Sequence, residues 1–186
     1  RHFRLPGFGI ENQWRLRESA VIIVGMGGLG SVVAGQLAAA GIGRLTLVDF
    51  DTITLSNLSR QLLYTETDLG QYKTAVATER LQKQFANTLF SQALSTFDST
   101  TGEKLCSGHH LIMDCCDTRA AKYSIDDVAA SMRIPVVSGA VSRFDGQVSV
   151  FHGHCSTSYA HVFPKEQDLQ DEGCDALGVW APAVGI

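Results

Sequence analysis

Residues 49–61 read DFDTITLSNLSRQ. Two carboxylates, Asp49 and Asp51, close an apolar run, and a segment rich in hydroxyls and amides follows, ending in Arg60 and Gln61. Upstream stands Gly25-x-Gly27-x-x-Gly30 within VGMGGLG. In such a turn the first glycine permits the sharp bend, the second lets backbone approach phosphate, and the third lets helix and strand pack closely. The N–H groups that open the helix then face an anion. Gly28 strips one more side chain from that surface. Asp49, at the end of the next strand, is placed to accept hydrogen bonds from ribose hydroxyls. A turn that serves packing alone is the competing explanation, and the pattern does not separate a dinucleotide from ATP.

The polar tail bears on that choice. Asn57 and Arg60 fall just past a strand end, on the side where ligands of open α/β sheets bind. Arginine offers phosphate a planar fork of donors. Lys73 begins the next helix, where a cation opposes the positive end of the dipole. A phosphate between Lys73 and Arg60 would resolve that conflict, whereas helix-surface statistics favour an ordinary exposed lysine. Asp117 lies beyond LIMDC in the same crevice, and a carboxylate beside triphosphate oxygens makes sense with Mg²⁺ between them. Asp114 competes for that role, and acids at a strand end also serve as helix caps. Two cations and a metal-binding acid suit phosphate chemistry, and hydride transfer needs none of them.

These residues require a scaffold of alternating strands and helices. AVIIV (20–24) predicts a strand buried on both faces, SVVAGQLAAAG (31–41) a tightly packed helix, and RLTLVDF (44–50) a second strand. KTAVATERLQKQFAN (73–87) spaces Val76, Ala77, Leu81 and Phe85 as a helix does. HLIMDC (110–115) and IPVVSGA (134–140) read as strands on either side of a helix over 119–133. GQVSVFH (146–152) alternates like a strand with one solvated face, antiparallel to its neighbours. The class is therefore α/β and Rossmann-like, a mostly parallel sheet with helices on both faces and an antiparallel extension. From His154 to Gly173 the pattern reads as loop, and LGVWAPAVGI looks like an element cut off. The expectation is one domain over 1–186, truncated at its C-terminus.

The composition sets bounds on these readings. The chain has 186 residues, 45% of them hydrophobic, and a formal net charge of −4 with no basic stripe for nucleic acid. Its five cysteines form no secreted framework, which points to a reducing cytoplasm. The uncharged run from Val21 to Gly43 is long enough to span a bilayer, but its internal glycines predict strand, turn and helix instead.

With these residues in view, the chain resembles the ThiF/MoeB/HesA adenylyltransferases, bacterial relatives of ubiquitin-activating enzymes. The resemblance runs from Arg1 to Ile186 and rests on RHFRLPGFG, VIIVGMGGLGS, AAAGIGRLTLVDFDTITLSNLSRQ, GQYKTAVA, DCCDTRAAK, VVSGAVSRFDGQVSVF and GCDALGVWAPAVG. It implies ATP·Mg²⁺ and a ubiquitin-like sulfur carrier of ThiS or MoaD type, whose C-terminal Gly-Gly carboxylate is adenylated with release of pyrophosphate. By that resemblance Gly28 lies against the nucleotide and Asp49 takes the ribose. Asp51, Ser56, Asn57, Arg60, Gln61 and Lys73 belong to the nucleotide and phosphate surroundings, and Asp117 positions Mg²⁺. Arg4 matches an arginine that family dimers insert into the partner's site, which implies a homodimer with composite sites.

Three features bear on how far the match extends. Cys174, in the crossover loop (154–175), matches a thiol that engages the carrier in ThiF-like members and is dispensable for adenylation in MoeB-like ones; reactivity would need a depressed pKa. The family's zinc-holding pairs are broken: Ser158 and His161 stand where the first would lie, and the second would fall beyond Ile186. His161 with Cys155 or His154 offers only improvised spacing, so structural zinc is not expected. Thr118 stands where relatives carry asparagine, and its hydroxyl replaces an amide. The competing functions are an NAD-dependent oxidoreductase, a non-catalytic partner subunit, and a branch acting on a tRNA-base carboxylate.

Overall fold

β1 (Ala20–Val24) is buried at every position because both of its faces are covered. Val21 and Ile23 point into one apolar cluster, Ile22 and Val24 into another. This explains an unbroken apolar run where an alternating one would mark a half-solvated strand. The computed structural model describes residues 2–154 and 157–165. Arg1, Cys155, Cys174, most of 154–175 and the final LGVWAPAVGI lie outside the described residues.

The sheet has six strands in the order β3-β2-β1-β4-β5-β6. β2 (Arg44–Val48), β3 (Leu89–Ala93), β4 (Leu111–Asp114) and β5 (Val136–Ser142) run parallel to β1, and β6 (Asp145–Phe151) is antiparallel to β5. The order reverses between β1 and β4, so the segments leaving their carboxyl ends part and leave a crevice. Ile22 sits opposite Thr46 on one side and Ile112 on the other, which brings those strand ends level.

α1 (Gly9–Glu18), α2 (Gly28–Ala40), α3 (Lys73–Gln84), α4 (Ser99–Cys106), α5 (Arg119–Met132) and the short α6 (Tyr159–Val162) surround the sheet. Ala34 and Ala38 of α2 and Val76, Ala77 and Leu81 of α3 cover one face. Cys106 of α4 and Ile125, Val128 and Ala129 of α5 cover the other. No described helix is long and apolar enough to cross a membrane.

The elements expected within the described residues are present, with four additions and shifted ends. α2 starts at Gly28, ahead of the expected Ser31, because it opens within the glycine turn itself. α1 has no buried residue, so its sequence carries no apolar stripe. β3 is an edge strand with mostly exposed residues. α4 opens on Ser-Thr-Thr-Gly, which reads as loop; the Asp98 carboxylate accepts from the Thr100 and Thr101 amides and starts the helix. α6 interrupts the stretch expected to be loop. Buried Asp126 accepts from the Tyr159 amide at 2.7 Å and the Ala160 amide at 3.1 Å, which holds its first turn.

Candidate active site

The glycine turn connects β1 to α2 and its three motif positions do different work. Gly25 has φ +92°, and a Cβ there would lie 2.7 Å from the Cys115 carbonyl oxygen. A Cβ on Gly30 would fall 1.8 Å from the Gly25 carbonyl oxygen, so Gly30 serves packing and stays off the cavity wall. At Gly27 the nearest atom to a Cβ is Gln61 Nε2 at 3.5 Å, and the bare backbone faces the cavity. No side chain caps the start of α2. Its first amides are thus left for an anion to satisfy.

The end of β2 is tied to this turn. Asp49 accepts from the Met26 amide at 2.6 Å and from the Asp51 amide at 2.8 Å, through different oxygens. Burial pushes the Asp49 carboxyl above its usual range, while the Asp51 amide and the Lys73 charge pull it down. Each oxygen keeps further acceptor capacity for a hydroxyl. The Tyr64 hydroxyl donates to the Met26 carbonyl at 2.8 Å and fixes the same bend from the opposite side. No motif drew attention to Tyr64.

Lys73 is not the ordinary exposed lysine that statistics favour. It is 5% exposed, its ammonium lies 2.8 Å from Asp51 Oδ2, and its amide donates to the Asp51 carbonyl. The conflict between a cation and the helix start is eased by Asp51, which occupies one of the three ammonium donors. The polar tail forms a 3₁₀ turn at Leu55–Asn57, with the Asn57 carbonyl accepting from the amides of Arg60 and Gln61. The Arg60 guanidinium reaches the Ser56 carbonyl at 3.3 Å. Gln61 is 3% exposed and its Oε1 is buried without a partner, on the wall facing Gly27.

At the end of β4 the two candidate acids part company. Asp114 is 2% exposed and fully engaged: Lys122 Nζ lies 2.9 Å from Oδ2, Ser138 Oγ donates to the same oxygen at 2.5 Å, and the Cys116 amide donates to Oδ1. Asp117 is exposed and lines the cavity. Thr118 caps α5 by accepting from the Ala121 amide at 3.4 Å, so its hydroxyl has a structural task as well as a place on the wall. Cys115 and Cys116 also line the cavity; burial pushes the Cys115 thiol up to about 12 and Cys116 well above its ordinary value.

Gly25, Gly27, Gly28, Asp49, Asp51, Ser56, Asn57, Arg60, Gln61, Lys73, Asp117 and Thr118 thus share the wall of one cavity of about 870 Å³. That is the size of a small-molecule or cofactor site. Its far half is built by residues that the sequence reading gave no role, among them Arg119, Lys122, Gln147, Tyr159 and Phe163. They come from α5, β6 and the segment around α6, which only chain folding brings together. Arg4 is exposed in the 3₁₀ turn His2–Arg4 and is not on this wall. Among the described residues no group of three or more His, Cys, Asp or Glu could hold a metal ion. His161 Nδ1 instead lies 2.7 Å from Ser158 Oγ, the cap of α6.

A family model described as the ThiF family matches residues 1–186. The chain belongs to the ThiF family. Among curated relatives, the molybdopterin-synthase adenylyltransferase of Salmonella typhimurium is 34% identical over 190 residues, covering 100% of this chain and 75% of the relative. The adenylyltransferase and sulfurtransferase MOCS3 of Caenorhabditis briggsae is 37% identical over 187 residues, and here the chain spans 46% of the relative's length. Among solved structures, the E. coli tRNA N6-threonylcarbamoyladenosine dehydratase TcdA in complex with ATP superposes with a TM-score of 0.68 and 25% identity, over 73% of this chain and 56% of that one.

ThiF-family membership gives the cavity a frame of reference. The strand order, the glycine turn and the acid closing β2 are the nucleotide-binding half of a Rossmann-type fold. A metal bound mainly through phosphates needs few protein ligands, so one exposed carboxylate suits Mg²⁺, which keeps most of its waters.

Proposed function

We propose that this ThiF-family chain is an ATP-dependent adenylyltransferase acting on the C-terminal Gly-Gly carboxylate of a ubiquitin-like sulfur carrier of ThiS or MoaD type. The observation that carries the reading is the placement of Lys73 and Arg60 on the same cavity wall as the bare Gly27 backbone. Hydride transfer itself calls on neither cation.

Several structural features fit ATP. The uncapped start of α2 and the Gly25–Gly28 backbone accommodate phosphate oxygens, Asp49 accepts from ribose, and the orphaned Gln61 Oε1 awaits a donor. Arg60 and the two remaining Lys73 donors neutralise phosphate charge. Mg²⁺, which Asp117 would help hold, supplies further neutralisation when bound. A peptide carboxylate is ionised at neutral pH, so attack needs no general base. A carboxylate oxygen bonds to the α-phosphorus, the bond to the bridging oxygen breaks, and pyrophosphate leaves with that electron pair. The protein's part is to bring two anions together and offset their repulsion.

The proposed assembly is a homodimer in which Arg4 reaches the partner's cavity, and Cys174 is the proposed thiol for a later transfer. The test combines the protein, ATP·Mg²⁺ and labelled pyrophosphate with a ThiS-type or MoaD-type carrier. Exchange of label into ATP only when the carrier is present, and an AMP-bearing carrier by mass spectrometry, are the expected results. Likeness to TcdA makes a tRNA arm informative: exchange driven by tRNA and by neither carrier would replace the substrate while keeping the chemistry. Reduction of a nicotinamide cofactor without exchange would end the proposal.

A further inference from the structure

On the α4 side of the sheet, the strand pair β2–β3 is left uncovered, and the gap beside α4 forms a second cavity of about 550 Å³. Its composition is unusual for this chain, whose formal net charge is −4. Arg44, Lys104 and His109 line it with six hydroxyl side chains, and among the described residues of its wall there is no Asp or Glu. Neither Arg44 nor Lys104 forms an ion pair among the described residues.

The floor is built and polar. Thr46 is 8% exposed on a strand whose other buried residues are Leu45, Leu47 and Val48. Its hydroxyl lies 2.8 Å from Ser91 Oγ and 2.8 Å from His109 Nε2. The other ring nitrogen, His109 Nδ1, is buried against the Cys106 and Ser107 backbone. Burial and the nearby Arg44 charge hold the imidazole below its ordinary range. Arg44 is only partly used, donating to the Gly108 carbonyl at 2.5 Å; a guanidinium has five donors.

We propose that this groove between α4 and the β2–β3 face is a binding site for a phosphate-bearing small molecule. With Arg44 and Lys104 on its wall and no acid, the groove carries a positive potential that attracts an oxyanion. The guanidinium fork suits phosphate geometry, Lys104 adds a mobile cation, and the hydroxyls can donate to the remaining oxygens. The volume far exceeds a single water's share of about 30 Å³, which leaves room for an organic group attached to the phosphate. Of the wall residues only Ser95 is shared with the main cavity, so this site does not depend on the adenylation reading.

The experiment follows the His109 ring resonances by NMR in the full chain while adding inorganic phosphate or ribose 5-phosphate. Saturable shifts are expected with both, tighter for ribose 5-phosphate if the source is a phosphorylated metabolite, and equal if it is the free ion. Arg44 and Lys104 are exposed, so Arg44→Gln and Lys104→Gln should leave the fold intact, with the melting temperature moved only by loss of the Arg44–Gly108 hydrogen bond, while weakening binding about tenfold or more. Shifts that never saturate, or that persist unaltered in the double variant, would overturn the proposal. Lys104→Gln alone provides the same comparison should the double variant melt early.

Discussion

Lys73 shows how much a single residue's surroundings decide. In a sequence it is one of five lysines; in the fold it is buried against Asp51 on the wall that also carries the bare Gly27 backbone. Lys73→Ala is expected to reduce carrier-dependent pyrophosphate exchange by roughly 10²–10³, by analogy with removal of other preorganised donors. Its stability should change modestly, since Asp51 is half-exposed and can rehydrate. Exchange at the wild-type rate would remove Lys73 from the chemistry. The adjacent thiols are predicted to be quiet. For Cys115, with a pKa near 12 instead of the usual 9, the thiolate fraction at pH 8 falls about a thousandfold. The sign is unambiguous: burial disfavours the charged form, so the thiolate gains only as pH climbs towards 12. Mapping of alkylated peptides at pH 8 should find Cys115 and Cys116 unlabelled in the folded protein and labelled in denaturant.

At the scale of elements, the glycine turn divides into positions of packing and positions of binding, which separate under substitution. Gly30→Ala places a methyl within 1.8 Å of the Gly25 carbonyl oxygen and forces β1 and α2 apart. Loss of folded protein or a steep fall in Tm is expected. Gly27→Ala meets nothing closer than 3.5 Å, so Tm should hold while ATP affinity falls, measured by calorimetry. Equal effects on Tm would refute the division. The union of β4, β5 and α5 depends on Lys122, whose ammonium satisfies Asp114, Ser138 Oγ and the Gly139 carbonyl. Lys122→Ala strands a carboxylate that is 2% exposed, at a cost of about 3–5 kcal/mol. Denaturant unfolding should show that loss; a change below about 1 kcal/mol would mean Asp114 is protonated or rehydrated in the variant.

For the whole molecule, Arg4 raises the question of assembly. It is exposed and absent from its own chain's cavity wall, as a residue acting in a partner would be. Arg4→Ala and Lys73→Ala are each expected to be nearly inactive. After the two are mixed and allowed to exchange subunits, half of the dimers would be mixed, and each would hold one intact composite site. About a quarter of wild-type exchange should return. No recovery, with subunit exchange verified by mass spectrometry, would place Arg4 in its own chain's site, and an Arg4→Ala variant as active as wild type would place it outside catalysis.

What could be read from the linear chain was what local chemistry and periodicity encode. β1, α2, β2, α3, β4, α5, β5 and β6 were legible because both-face burial, helical spacing or alternation marks them. The glycine turn, Asp49 and the SNLSRQ segment were legible because backbone geometry and donor type constrain them in sequence. α1, β3, α4 and α6 were not, since exposure or capping, rather than an apolar pattern, makes them what they are. The choice between Asp114 and Asp117, three residues apart, needed the third dimension: Lys122 and Ser138 come from another helix and another strand to claim one and leave the other facing the cavity. The far wall around Gln147 and Tyr159, and the groove joining Arg44 to His109, likewise exist only once distant segments meet, because charge and burial depend on neighbours in space and no spacing along a chain records them.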